Sequence, residues 1–255
     1  MSSRALFIFT SISILLAGCN AQEYDNVTLA VTKIVNKVSN QTSTFTYGRK
    51  KLATFKSVAT TSTLANMTFH FTGDTLVYIT NDSTVNYTRK THFYYSTDNT
   101  IDSTFYSSAD TTFATSTRTI TYNASRDPIA VQVTSWSTGS EGDIVTTQVR
   151  SELTWDGGNV TRMIIYDNSK GELTPMEDLQ ISYDDHPSVY FFKRPEFIYT
   201  LAPKDMFWLS TNNPVTFNDG AEERSYSYDY NKLGYPASYQ SYTGTNYTVA
   251  YTQML

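Results

Sequence analysis

One arrangement of residues recurs along most of the chain and constrains its fold more than any other feature. A short alternating run ends in an aromatic residue, a polar turn follows, and a second alternating run returns. The alternation places the large side chains of each run on one face of a strand. Seven copies occur, and their terminal aromatic residues are Tyr47, Phe71, Tyr95, Tyr122, Trp155, Tyr183 and Tyr228. The first three lie 24 residues apart, so the sequence predicts an array of β-hairpins with longer loops in its later copies.

The turns between the paired runs support the same interpretation. Gly73-Asp74 and Gly157-Gly158 supply residues that adopt the positive φ angles of tight hairpin turns. In the sixth copy we expect the turn at 184–187 and a return strand that starts at Val189. An isolated hairpin is marginally stable, and a sheet of more than about ten strands curls or splits. We therefore expect an all-β fold of about fourteen strands. Its antiparallel sheet should be extended and strongly curved, as a partial barrel or as two packed layers.

The composition agrees with a single strand-rich domain. Hydrophobic residues make up 40% of the chain and aromatic residues 15%, and Tyr, Phe, Val and Thr favour a pleated surface. A chain of 255 residues can bury a sizeable core without disulfide bonds. We predict one hairpin-repeat domain over residues 41–255. The formal net charge of −5 disfavours a nucleic-acid partner, and the basic run Arg49-Lys50-Lys51 is interpreted as a solvated turn.

The N-terminus has the three parts of an export signal. Arg4 provides the positive charge, residues 6–16 form an apolar run too short to span a bilayer, and small residues follow. Leu16-Ala17-Gly18-Cys19 resembles the lipobox of bacterial lipoproteins. The resemblance implies a signal peptide at 1–18 and a diacylglyceryl group on the Cys19 thiol. We expect a lipidated tether at 19–40 that anchors the protein to a membrane of the bacterial cell envelope. The expected membrane is the outer one, with the protein on its periplasmic face or at the cell surface.

Two later stretches resemble a known group of proteins. Residues 153–160 (Leu-Thr-Trp-Asp-Gly-Gly-Asn-Val) and 226–236 (Tyr-Ser-Tyr-Asp-Tyr-Asn-Lys-Leu-Gly-Tyr-Pro) are similar to the tyrosine-aspartate (YD/RHS-like) hairpins of uncharacterised Bacteroidota lipoproteins. Residues 208–214 are similar to the Ser-x-Asn-x-Pro segment that often precedes the last hairpin in that group. The resemblance covers most of residues 45–251. It implies an all-β envelope lipoprotein and provides no catalytic residues.

One segment, residues 195–214, departs from the strand alternation. Its run Pro-Lys-Asp-Met-Phe-Trp-Leu predicts a short helix near 203–210 with proline at its first position. One interpretation is a plug that covers the apolar surface of the sheet. The alternative is a loop that shapes a ligand pocket, with Trp208, Asn212 and Asn213 at its edge.

Catalytic and metal-binding patterns are sparse in this sequence. The three histidines are not arranged as metal ligands, and no phosphate-binding or nucleophile-elbow motif occurs, so we expect no metal and no cofactor. The acid pairs Asp184-Asp185, Glu222-Glu223 and Glu141 with Asp143 lie in expected turns. We therefore predict a non-enzymatic binding or structural module of the envelope, with a glycan, a lipid or a protein as partner. The alternative is a hydrolase of a cell-surface polysaccharide, which needs two facing carboxyl groups.

Overall fold

A computed structural model describes residues 29–48, 51–59, 62–82, 88–97, 100–107, 115–138, 142–190 and 202–253. The predicted signal peptide, Cys19 and the first part of the predicted tether lie outside these residues. Among the described residues, no helix has the length and apolar character needed to cross a membrane.

The described chain is almost entirely β-structure. Its strands are β1 (Leu29–Asn36), β2 (Gln41–Gly48), β3 (Lys51–Ala59), β4 (Ser62–Thr72), β5 (Thr75–Asp82), β6 (Thr88–Tyr95), β7 (Ile101–Ser107), β8 (Thr115–Tyr122), β9 (Pro128–Thr138), β10 (Ile144–Asp156), β11 (Asn159–Asp167), β12 (Thr174–Pro187), β13 (Asn212–Asn218), β14 (Glu223–Ser225), β15 (Ser227–Tyr230), β16 (Pro236–Gln240) and β17 (Asn246–Gln253). A 3-10 helix at Pro203–Leu209 confirms the predicted helix and its leading proline.

All seventeen strands belong to one antiparallel sheet that is nearly closed into a barrel. Successive strands pair with each other from β1 to β14 and from β15 to β17, and β17 pairs in turn with β1. The ring is interrupted where β14, which pairs with β13, gives way to β15, which pairs with β16. The predicted curved all-β sheet is therefore confirmed, in its barrel form.

Strand β1 corrects the predicted boundary of the tether. Residues 29–36 were expected in the tether, but they pair with β17 on one side and β2 on the other. Leu29, Val31 and Ile34 are buried in the barrel. The apolar and β-branched residues of this run favour a strand, and only this strand joins the two ends of the sheet. The folded domain therefore starts by Leu29, before the predicted residue 41.

The predicted hairpins share one irregularity. In six of them, the pairing register shifts next to the terminal aromatic residue, as it does between Thr46 and Tyr47 and between Tyr94 and Tyr95. A register shift of this kind is a β-bulge, which bends the strand and increases its twist. The six turns lie at the same end of the barrel, which we call the tight-turn end. The opposite end, with the turns 37–40, 168–173 and 241–245, is the loop end.

The terminal aromatic residues also bind their neighbours. Seven aromatic side chains each donate a hydrogen bond of 2.7–2.9 Å to a backbone carbonyl of an earlier strand, which is the preceding strand in every case except Tyr228, on β15, whose partner lies on β13. The pairs are Tyr47–Val31, Tyr95–Leu76, Tyr122–Ile101, Trp155–Pro128, Tyr183–Val160, Tyr228–Pro214 and Tyr251–Pro236. The equivalent position on β4 is Phe71, which has no hydroxyl. This aromatic ladder explains why the repeat ends in Tyr or Trp, since both rings carry a polar donor at the rim of an apolar core.

The two faces of the barrel wall differ in character. Inward side chains form one continuous apolar core that includes Phe45, Phe69, Phe93, Leu153 and Ile181. Outward positions on the same strands carry exposed polar residues such as Thr46, Lys90 and Thr154. Apolar side chains thus pack most of the barrel interior, and polar residues occupy many outward positions of the described wall.

Candidate functional site

The sixth hairpin differs from the prediction and creates the candidate site. Its return strand does not start at Val189, because β12 pairs with β13, which begins at Asn212. The described residues between the two strands enter the barrel from the tight-turn end. We call its described residues, 188–190 and 202–211, the plug. Val189 is buried because it enters the barrel interior with this segment.

Two asparagines fix both ends of the plug at the tight-turn end. The fully buried Asn213 amide donates to the Asp184 carboxylate and to the carbonyl of Pro187, and its oxygen accepts from the Val189 N–H at 2.9 Å. Asn212 donates to the His186 carbonyl at 3.1 Å and accepts from Asn159 at 3.0 Å. The two side chains therefore join the ends of the plug to the rim of the barrel.

The 3-10 helix carries the plug into the core. Met206 is fully buried, and Phe207 packs edge-on against Phe217 with ring centroids 4.8 Å apart. The buried Ser151 hydroxyl donates to the Pro203 carbonyl at 3.0 Å, which joins the start of the helix to strand β10. Proline suits the first position of a helix because that position needs no backbone donor.

Trp208 lies where the helix meets a partly open cavity near the loop end. Its ring packs against Tyr190 at 4.6 Å and, edge-on, against Tyr226 at 6.1 Å. The cavity has a volume of about 290 Å³, and we call it the aromatic cavity. Rings of Phe45, Phe55, Tyr190, Trp208, Tyr239 and Tyr247 line it.

Uncharged polar groups share the lining of the aromatic cavity. They belong to Asn36, Gln41, Ser43 and Ser241, on strands β1 and β2 and just after β16. The Gln41 amide nitrogen donates to the Ser57 hydroxyl at 2.8 Å, which fixes the amide against the wall. The amide oxygen can then accept a hydrogen bond from another donor. Burial raises the pKa of Tyr190 and of Tyr239, so both phenols stay neutral hydrogen-bonding groups at physiological pH.

A second cavity of about 200 Å³ shares Trp208 and Tyr226 with the first. Charged residues distinguish it, because Glu177, Lys204, Asp205 and Arg224 line it. Burial raises the pKa of the Asp205 carboxyl, and the neighbouring Lys204 opposes that shift. Arg224 donates to the Asp219 carboxylate at 2.5 Å, so its charge is already partly compensated.

The structure separates the residues predicted at the pocket edge. Trp208 lines both cavities, whereas Asn212 and Asn213 lie in the hydrogen-bond network at the tight-turn end. Sequence reasoning did not single out Gln41 or Ser43. The signal that could have found them is the inward alternation of β2, since Gln41, Ser43, Phe45 and Tyr47 share one face of that strand. In the described part of the chain, no three His, Cys or acidic side chains converge as a metal site.

Comparisons with known proteins bear on the fold. No protein-family model matches the chain. No curated protein matches it either. A solved porin-like protein from Bacteroides uniformis ATCC 8492 aligns with a TM-score of 0.50 and 12% identity, over 89% of this chain and 98% of that one. A porin-like protein from Bacteroides vulgatus ATCC 8482 aligns with a TM-score of 0.54 and 12% identity, over 88% and 99% of the two chains. At this identity, the likeness shows a shared all-β barrel fold.

Proposed function

We propose that the chain is a binding protein of the bacterial cell envelope that holds a small molecule in the aromatic cavity. One observation carries the proposal: the plug presents Trp208 to a cavity that combines aromatic rings with uncharged polar groups. Small-molecule sites in proteins are typically apolar hollows with a few placed polar groups, and this volume lies near the lower end of their range of about 300–1,000 Å³. An envelope location agrees with the export signal in the sequence and with the barrel fold.

Exposed charges on the outer wall support a barrel that stands beside a membrane. Barrels that span a membrane carry an apolar outward band and a polar interior. Here Arg162 and Asp178 form an ion pair on the outside, with 48% and 46% of their side chains exposed, while the interior contains a continuous apolar core. A bilayer around such a wall would have to desolvate exposed charges. We therefore propose that lipid on Cys19, and not the barrel itself, attaches the protein to the membrane.

The positions of the chain ends support an orientation. Leu29 begins β1 at the tight-turn end, and Cys19 precedes it by ten residues. Ten residues reach at most about 35 Å. Lipid on Cys19 would hold the tight-turn end toward the membrane and direct the loop end, with its aromatic cavity, away from it.

The anchor and the binding function have separate tests. Radiolabelled palmitate should be incorporated into the chain made in a Bacteroidota host and lost in Cys19→Ser, and labelling of that variant would contradict the anchor. For binding, the melting temperature of the full chain should rise with at least one probe among neutral sugars, uronic acids, amino acids and indole. Trp208→Ala should remove that rise. No rise with any probe would overturn the binding function.

The second cavity favours one alternative, a polysaccharide hydrolase. Asp205 and Glu177 both line it, and the raised pKa of Asp205 suits a general acid. Release of reducing ends from soluble envelope polysaccharides should then be lost in both Asp205→Asn and Glu177→Gln. Hydrolysis that survives in either variant would contradict this role for the pair.

A further inference from the structure

We propose that the ligand of the aromatic cavity is a neutral carbohydrate, with one pyranose ring against Trp208 and its hydroxyls on the amide and hydroxyl groups of the wall. This inference rests on the proposed binding function and names the class of ligand.

The uncharged lining of the aromatic cavity disfavours ionised ligands. Among the described residues that line the aromatic cavity, every side chain is uncharged. An ionised ligand would lose part of its hydration there without gaining an opposite charge, which is unfavourable. The charged residues of the plug, Lys204 and Asp205, line the second cavity instead. The ligand in the aromatic cavity is therefore neutral.

Polar groups in the wall exclude a purely apolar ligand. Gln41 and Ser43 on β2 and Ser241 in the turn after β16 line the cavity, and all of them need hydrogen-bond partners. Their side chains form few hydrogen bonds within the wall. Gln41 and Ser43 both bond to the Ser57 hydroxyl, at 2.8 Å and 3.3 Å, and Ser241 bonds to Thr243 at 2.8 Å. An apolar ligand would remove water from the remaining donors and acceptors without replacing it. A ligand with several hydroxyls replaces that water.

The aromatic rings require an apolar face on the same ligand. Tyr239 and Tyr247 stack with ring planes 10° apart and centroids at 4.5 Å, and Trp208 is inclined at 58° to Tyr190. The negative face of an aromatic ring attracts weakly positive C–H groups. A pyranose carries C–H groups on its ring faces and hydroxyls around its edge. It therefore satisfies both parts of the lining with one neutral molecule.

The test uses the full chain in lauryldimethylamine oxide, because detergents with sugar headgroups would compete. The probes are glucose, galactose, mannose and N-acetylglucosamine, and glucuronate and galacturonate, which replace the C6 hydroxymethyl of glucose and galactose by a carboxylate. Indole is the apolar probe. The chain has three tryptophans, so 5-fluorotryptophan gives three ¹⁹F resonances that Trp→Phe variants assign. At least one neutral sugar should shift the Trp208 resonance, and its uronic acid, where tested, should bind at least tenfold more weakly.

Two variants distinguish an effect of lost ligand contacts from an effect of a displaced plug. Gln41→Ala leaves the plug intact and should weaken sugar binding about tenfold, the usual effect of one lost hydrogen bond. Trp136→Phe changes a tryptophan that does not line the cavity and should leave affinity unchanged. Binding of indole or a uronic acid in preference to every neutral sugar would overturn this inference and leave the binding function standing. No binding by any of these probes would overturn this inference, and the binding function would fall with it if amino acids also failed to raise the melting temperature.

Discussion

The hydroxyl of Tyr95 donates to the backbone carbonyl of Leu76 over 2.9 Å and joins strand β6 to β5 at the rim of the barrel. The same bond recurs from strand to strand around the tight-turn end. Each rung satisfies a carbonyl beside a bulge and fixes the position of the next hairpin. The ladder is therefore the link between the sequence repeat and the closure of the sheet.

Removing one rung should cost stability without removing a ring from the core. Tyr95→Phe keeps the aromatic ring and deletes the hydroxyl, so we expect a loss of about 1 kcal/mol in the free energy of unfolding. Urea denaturation measures it. Tyr94→Phe is the matched control, because the neighbouring ring points outward and is 53% exposed. Equal losses in the two variants would contradict the role of the ladder.

The network at the tight-turn end should depend on Asn213. Its side chain is fully buried and bonds to Asp184, Pro187 and Val189. Asn213→Ala leaves several buried groups without partners, so we expect a loss of at least about 2 kcal/mol. Asn218→Ala, at the exposed end of the same strand, should cost clearly less. Hydrogen exchange should also accelerate in the plug. If the plug of the variant is as protected as that of the wild type, Asn213 does not hold the plug in place.

The buried side chain of Met206 should contribute much of the stability with which the plug packs in the barrel. Met206 is fully buried between the 3-10 helix and the barrel wall. Met206→Ala leaves a cavity in the core, and we expect a loss of about 2–5 kcal/mol. Lys204→Ala, two residues earlier and exposed, should change stability by less than about 0.5 kcal/mol. If both variants unfold at the same urea concentration, the plug does not pack as described.

Asp205 should make the free energy of unfolding depend on pH in the acidic range. Burial raises its folded-state pKa, so the folded chain binds this proton more tightly than the unfolded chain. Its contribution to stability therefore falls as pH rises from the unfolded pKa through the folded one. Asp205→Asn should be more stable than the wild type at pH 7, with a smaller difference near pH 3.5. Asp219→Asn should do the opposite at pH 7, because hydrogen bonds from the backbone of Glu222 and Ala221 and from Arg224 lower the pKa of that carboxyl.

The buried tyrosines should produce a steep loss of stability in alkali. Burial raises the pKa of Tyr47 from 10.0 to about 12, and it raises the pKa of Tyr183, Tyr228 and Tyr251 as well. The unfolded chain releases these protons first, so stability is intact below about pH 10 and falls above it. Each such tyrosine adds a slope of about 1.4 kcal/mol per pH unit. Phenolate absorbance at 295 nm should rise together with unfolding, and full titration of a still-folded chain would contradict this expectation.

The sequence by itself determined most of the strands and tight turns, the short helix and the terminal aromatic residues of the repeat. These features depend on neighbours within a few residues, where alternation, glycine turns and a leading proline act directly. Tertiary structure alone decided three further features. Residues 29–36 close the sheet, the described residues 188–190 and 202–211 enter the barrel, and Trp208 lines one cavity with Gln41 whereas Asn213 does not. These pairings join positions far apart in the chain, and local patterns carry no information on which distant edges and cavities they will meet.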